Sequence, residues 1–322
     1  MEDSFKAQNI GLGTAAIGRP VYINIKQNAD KKPFNLSAFK AKGLRVLEDA
    51  YNKGVRYFDT SPGYGLAEQL LVEWLDKKND PDIKVSTKWG YTYVANFKPD
   101  AKEHEIKEHS LIKLNEQLEY SKLLLPHLKL YQIHSATLDT GVLDNLEVLK
   151  RLHELKKENN ITIGLTTTGN NQTEVLEKAL SIEVENEVLF QSYQCTFNIL
   201  DQSLAKYKDV LQNLSGPFII KEALANGRLI PNSNYFEYKN LYNFMDQLTN
   251  KYNVGADAIA LGYCMAVFPE ALVLSGANNE IHLDANLKAI EISLTNSEIE
   301  QLSAFGISST KYWQERKQLQ WQ

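Results

Sequence analysis

Asp59, Tyr64, Lys88 and His134 are side chains whose types, taken together, suit proton transfer to a carbonyl group. Asp59 ends the run VRYFD, Tyr64 follows in SPGYG, Lys88 ends IKVSTK and His134 ends LKLYQIH. A tyrosine with an ordinary pKa of about 10 is a poor acid at neutral pH, and a lysine ammonium beside it stabilises phenolate and eases release of the proton. Lys88 is expected to supply that ammonium, with Asp59 as its counter-ion. His134 is expected to hydrogen-bond a substrate oxygen and steady the negative charge that grows there as hydride reaches the carbon. Singly, each residue has a plainer use: Asp59 as a turn cap, Lys88 as a snorkelling surface cation, Tyr64 in packing and His134 as a satisfied core histidine. The grouping is what points to chemistry.

Other chemistries lack their motifs. His104 and His109 are five apart, which does not bring two imidazoles onto one helix face, and HEIKEH lacks the zincin pattern, so no metal site is expected. The glycine run GLGTAAIG differs from the dinucleotide fingerprint in its last gap, and no helix is expected directly after it. Neither a P-loop nor a GxSxG elbow occurs.

The elements that must position these residues form a repeating pattern. Short β-rich runs begin near NIGLGT and continue with VRYFD, IKVSTK, LKLYQIH, ITIGLT, EVLFQS, PFIIKE and ALVLSG, eight in all. Between them lie stretches of helical period, as in Leu44, Leu47 and Tyr51, in Leu70 and Trp74, and in Leu146, Leu149 and Leu152. Strand and helix alternating eight times imply parallel strands joined by crossovers, and at this length an α/β fold of the (β/α)8 barrel type in a single domain, residues 1–322. Function on that fold collects at the C-terminal ends of the strands, where the four residues stand. Two segments exceed what a barrel needs: a polar insertion at 17–33, placed to touch a ligand, and a tail at 306–322 carrying Tyr312, Trp313 and Trp321, read as a docked strap.

Composition narrows the partners. The 322 residues include 35 Lys or Arg against 40 Asp or Glu, a net charge of −5, which offers no basic excess for nucleic acid or an anionic membrane. The apolar stretch Ala258 to Phe268 is shorter than the roughly 20 residues a membrane span needs. The N-terminus lacks the basic start and apolar core of a signal peptide, and Cys195 and Cys264 form no disulfide framework, so a cytoplasmic location is expected.

The segments FDTSPGYGLAE, VSTKWG and YQIHSA, with the opening GLGTA, resemble the aldo-keto reductases, and the resemblance runs from Gly11 to about Asn286. It implies a (β/α)8 barrel whose tetrad Asp59, Tyr64, Lys88 and His134 reduces an aldehyde or ketone to an alcohol with NADPH or NADH. The cofactor residues it implies are Gly13, Thr14 and Asp59 on the first strands, then Thr166, Thr167 and Gln194 against the nicotinamide carboxamide. Lys221, Leu224 and Gly227 follow within KEALANGRL, which resembles a subset of bacterial and plant members. Ser275, Gly276, Ala277 and Asn286 stand where members wrap the pyrophosphate and adenosine. Thr166 and Thr167 replace a common Ser-Asn pair, and Lys221 replaces a common aromatic. The places where NADPH-preferring members hold the 2′-phosphate with Lys or Arg read Gly276, Asn278 and His282, so NADH stands beside NADPH. The resemblance also leaves open a regulatory subunit of the potassium-channel β type and a sugar or alcohol dehydrogenase working oxidatively, since the tetrad serves both directions.

Overall fold

The structure is a computed structural model that describes residues 9–21, 23, 25, 34–98 and 100–321. Eight strands close into one parallel barrel in sequence order, the last returning to pair with the first. They are β1 (Ile10–Gly13), β2 (Tyr57–Asp59), β3 (Lys84–Trp89), β4 (Leu128–Ala136), β5 (Thr162–Thr167), β6 (Ser192–Thr196), β7 (Phe218–Lys221) and β8 (Leu272–Ser275). Helices cover the outside: α1 (Leu36–Asn52), α2 (Ala67–Leu75), α3 (Leu111–Ser121), α4 (Leu146–Asn159), α5 (Gln172–Leu180), α6 (Lys208–Gln212), α7 (Lys239–Tyr252), α8 (Ala256–Val267) and α9 (Glu280–Leu287). The expected single-domain (β/α)8 barrel is therefore what the chain forms.

Helix starts follow local chemistry. Asn35 caps α1 by accepting from the Ala38 N–H at 2.8 Å, and Asn145 caps α4 in the same way through Val148. Leu47 is buried on α1, with Leu44 and Tyr51 packed beside it. On α4 the buried stripe is Val148, Leu149, Leu152 and Leu155; Leu146, expected on that face, opens the helix and stays exposed.

Two sequence-based expectations are corrected. EVLFQS does not form the sixth strand: Glu187–Val188 pairs antiparallel with Glu183–Val184, and β6 starts at Ser192. Glu185 and Asn186 both adopt left-handed backbone, φ 54° and 63°, which is the geometry of a tight hairpin turn, and Leu189 and Phe190 then anchor the chain in the core before the barrel strand begins. A short helical turn, Ala15–Gly18, does follow β1 directly, against the expectation of none.

Alternation along the strands sets what faces the barrel interior. Tyr57, Leu130, Ile219 and Leu272 form a small apolar cluster separate from the main core. Two residues further along their strands come Asp59, Gln132 and Lys221, and His134 is two beyond Gln132. The interior is thus filled with apolar groups at one end and lined with polar ones at the other, the end where strands finish.

Where the segment expected as an insertion at 17–33 begins, Ile17, Arg19 and Val21 are all buried. Residues 22, 24 and 26–33 lie outside the described residues. The tail continues through α10 (Asn296–Ser303) and α11 (Ser309–Gln318), which docks by burying Tyr312 and Trp313. The buried Arg228 ties it down, donating to the Tyr312 carbonyl at 3.1 Å and to Glu315 at 2.9 Å. Among the described residues no helix is long and apolar enough to cross a membrane; the stretch from Ala258 packs as α8.

Candidate active site

The loop that carries Tyr64 is built by its own small residues. Ser61 caps the short turn Pro62–Tyr64 by accepting from the Gly63 N–H at 3.1 Å, and Gly65 leaves the turn at φ 64°. The helical turn after β1 lies directly on this loop. A Cβ at Gly18 would come within 2.1 Å of the Tyr64 carbonyl oxygen, so only glycine permits the approach, and Leu66 N–H donates to the Gly18 carbonyl at 2.8 Å. Below, Gly13 pairs with Asp59 across β1 and β2, while Thr14 donates to the Asp59 carbonyl from both its N–H and its hydroxyl, each at 2.9 Å.

The four expected side chains converge. Lys88 Nζ donates to Asp59 Oδ2 at 2.5 Å and to the Thr60 carbonyl at 2.9 Å, and both partners of this ion pair are buried. The other carboxylate oxygen of Asp59 accepts from Ser86 Oγ and from Gln194 Nε2, each at 2.8 Å. A buried charge pair is tolerable only when its remaining hydrogen-bonding capacity is filled, as it is here. Tyr64 Oη lies 3.5 Å from His134 Nε2, and the Lys88 ammonium sits 4.8 Å from the centre of the tyrosine ring. His134 is braced: its Nδ1 meets Ser61 Oγ at 3.1 Å, His109 Nε2 donates to its carbonyl at 2.9 Å, and the Tyr91 ring packs 4.6 Å away.

Charge at this cluster differs in one respect from the sequence expectation. Burial, and then Asp59, hold the Tyr64 phenol well above its usual range, and Arg19 opposes them. The ammonium of Lys88 pairs with Asp59 while lying beside the Tyr64 ring. Burial, followed by Lys88 and Arg19, drives His134 well below the usual imidazole range, so its ring is neutral at physiological pH. His109 behaves alike, lowered to about 4 by burial and Lys107.

A cavity of about 70 Å³ opens beside Tyr64 and His134. Arg19, Glu105 and Trp321 line it together with Thr166, Gln194, Lys221, Glu222 and Arg316. Arg19 donates to Glu105 at 2.6 Å, its guanidinium carbon lies 4.7 Å from the Trp321 ring, and Trp321 stacks on His104 at 4.5 Å. An antiparallel bridge between Ile23 and Trp321 holds the tail over this mouth.

Comparison with known proteins decides the family. The sequence profile described as "Aldo/keto reductase family" matches residues 9–307. The chain belongs to the aldo/keto reductase family. Its barrel is also that of solved bacterial members. The aldo-keto reductase AKR11C1 from Bacillus halodurans, in its holo form, superposes with a TM-score of 0.67 at 22% identity, covering 93% of this chain and 92% of that one. The glycerol dehydrogenase AKR11B4 from Gluconobacter oxydans gives 0.68 at 19%, covering 92% and 90%. An aldo/keto reductase from Klebsiella pneumoniae, solved with NADP and acetate, gives 0.66 at 18%, again over 92% and 90%. This aldo-keto reductase is an NAD(P)-dependent oxidoreductase acting on carbonyl compounds.

The residues expected to hold the cofactor fall into three groups. Thr166, Gln194 and Lys221 line the cavity beside the tetrad; the Thr166 hydroxyl accepts from the Ser135 N–H at 2.7 Å, and Lys221 Nζ donates to Thr196 Oγ1 at 2.9 Å. Thr167 does not join them, because it has the opposite strand parity: its hydroxyl donates to Gln172 at 3.2 Å, next to α5. Leu224 is partly buried against the core, and Gly227 takes φ 88° in the turn after β7. At β8, Ser275 Oγ accepts from Asn286 Nδ2 at 2.8 Å and from the Ala277 N–H at 3.3 Å. Among the described residues, no atom beyond the neighbouring Ser275 and Ala277 lies within 4 Å of the place a Cβ at Gly276 would take, so this strand end keeps open space. Asn278 and His282 both contact Asn279, and Glu280 and Asp284 pair with Lys53.

Sequence reasoning missed Arg19, Ser61, Glu105, Glu222 and Arg316. Arg19 falls in the segment singled out after the first strand, which was the available signal. Trp321 was noted for its aromaticity, and its place at the cavity comes only from the fold.

Proposed function

We propose that Tyr64 is the proton donor in carbonyl reduction, with His134 as the neutral donor that orients the carbonyl oxygen and the Lys88–Asp59 pair as the charged floor beneath them. The observation that carries this reading is the placement of Tyr64 Oη 3.5 Å from His134 Nε2 at the edge of one cavity. Two neutral donors 3.5 Å apart at one cavity suit an oxygen that gains negative charge. The raised phenol stays protonated at neutral pH, so it holds the proton until the oxygen becomes basic enough to take it. When bound, the nicotinamide cofactor supplies the hydride; Thr166, Gln194 and Lys221 would hold its nicotinamide end, and Ser275, Gly276, Ala277 and Asn286 its phosphate and adenosine end.

The cavity lining supports a small polar substrate. Arg19, Glu105, Lys221, Glu222 and Arg316 outnumber the apolar Ile23 and Trp321, so a carbonyl compound bearing hydroxyl or carboxylate groups fits better than a long aliphatic or aromatic aldehyde. Both cysteines are free and buried, which supports a reducing, cytoplasmic setting. The family match does not favour a channel-type subunit or an oxidative physiological direction over carbonyl reduction.

The test is Tyr64→Phe. Aldehyde-dependent oxidation of NADPH or NADH is expected to fall by about 10²- to 10⁴-fold, while cofactor affinity measured by tryptophan quenching stays near wild type. Equal turnover in the variant would sink the assignment.

A further inference from the structure

We infer that Ser61 fixes the tautomer of His134, making Nδ1 an acceptor and placing the ring proton on Nε2, toward Tyr64 and the cavity. The inference rests on the reading of His134 as a donor to the substrate oxygen and names the residue that makes it one.

The argument is a count of protons. Ser61 is fully buried, and its Oγ lies within reach of three partners: the Gly63 N–H at 3.1 Å, His134 Nδ1 at 3.1 Å and the Lys88 carbonyl at 3.4 Å. The Gly63 amide can only donate, so it occupies a lone pair. The single hydroxyl proton then goes to Nδ1 or to the carbonyl. An O–H···O bond prefers roughly 2.5–3.0 Å, so the carbonyl contact is stretched well beyond its preference while the nitrogen contact is much nearer to it. The hydroxyl therefore donates to Nδ1, and a neutral imidazole that accepts at Nδ1 carries its proton at Nε2.

The consequence lies on the other side of the ring. With a proton on Nε2, His134 donates toward the Tyr64 oxygen or an incoming carbonyl, and the phenol proton remains available to the substrate. With a bare Nε2, the imidazole would draw the Tyr64 proton to itself across their 3.5 Å separation, and a carbonyl oxygen would meet neither donor. The ring cannot evade the choice by moving. Its backbone carbonyl is held by His109, the Tyr91 ring packs beside it at a tilt of 57°, and Ser61 is itself pinned as the cap of the Tyr64 turn. Ser61 is a positioning residue: it acts on the reaction through His134.

The experiment is ¹⁵N NMR of the full-length protein labelled at histidine, with the His134 signals assigned by their loss in His134→Gln. Wild type is expected to show a pyrrole-type Nε2 and a pyridine-type Nδ1. Ser61→Ala is expected to shift the population toward the Nδ1–H form and to lower kcat on the order of 10²-fold with a small change in KM; Ser61→Thr, which keeps the hydroxyl, is expected to restore the Nε2–H signals. A wild-type spectrum with the proton on Nδ1 overturns the inference, whether or not the alanine variant folds. So does a Ser61→Ala protein that loses activity with its tautomer unchanged. If wild type turned over no carbonyl compound, the reduction reading would fail while the spectrum still decided the role of Ser61.

Discussion

The guanidinium carbon of Arg19 lies 5.2 Å from the centre of the Tyr64 ring, and its Nη1 donates to the Glu105 carboxylate at 2.6 Å. A second cation with its own counter-ion thus flanks the proposed proton donor, apart from the Lys88–Asp59 pair. Arg19 pulls the phenol down and Glu105 pushes it up, so Arg19→Met removes the lowering charge and leaves the raising one. The phenol should then ionise at higher pH still. Reduction needs the protonated phenol, so its loss of rate at high pH should move upward; alcohol oxidation needs phenolate, so its gain with pH should move the same way. Arg19→Met combined with Glu105→Gln should move both limbs less. Steady-state pH profiles check this, and profiles that coincide with wild type would remove Arg19 from the electrostatics of the site.

Asp59 and Lys88 predict a different pattern, in stability. Asp59→Asn leaves the buried ammonium of Lys88 without its charge partner, which typically costs about 3–5 kcal/mol. Adding Lys88→Met to that variant removes the stranded charge, so the double variant should be more stable than Asp59→Asn alone while remaining inactive. Urea midpoints of the three proteins test this. A double variant weaker than either single one would show that the pair holds the barrel mouth by more than charge balance.

Trp321 couples the end of the chain to the cavity. Its backbone bridges to Ile23, while its indole stacks on His104 and lies against Arg19, so Trp321→Ala removes a wall and a cation–π partner worth about 0.5–2 kcal/mol. KM for a polar carbonyl substrate should rise by roughly 3- to 30-fold, with kcat changed much less. A fall confined to kcat would place the residue's effect on the reacting atoms instead of the substrate wall.

How much of this was legible in the sequence depended on whether a residue's position follows from strand parity. Asp59, Lys88 and His134 could be read because each ends a β-rich run, where a barrel gathers its chemistry. Thr166 and Thr167 could not be told apart, since a run of threonines carries no parity; the pairing of Gln194 with Thr166 settles which one meets the cavity. EVLFQS misled because Leu189 and Phe190 are buried as a strand's residues would be, yet they anchor the chain ahead of β6. Arg19, Glu105 and Trp321 come from three distant segments, and no local period links residue 19 to residue 321. Ser61 was in view within FDTSPGYG, but which partner a hydroxyl chooses is a matter of tenths of an ångström.

Glu222 offers a prediction tied to the tail. Its carboxylate accepts from Arg316 Nε at 2.8 Å and from the Tyr312 hydroxyl at 3.1 Å, joining the end of β7 to α11. Against burial, which raises it, Arg316 and Lys221 bring its pKa from the usual 4.5 to about 2. A carboxyl depressed on folding stabilises the folded chain above its unfolded pKa and loses that contribution as pH falls through the folded value. Glu222→Gln should therefore be less stable than wild type by about 3 kcal/mol at neutral pH. That gap should hold down to about pH 4.5 and close as pH approaches 2, with faster amide exchange in α11 above that window. A gap that stayed constant through the acid range would assign the loss to packing of the tail, because a charge effect must vanish once the wild-type carboxylate is protonated.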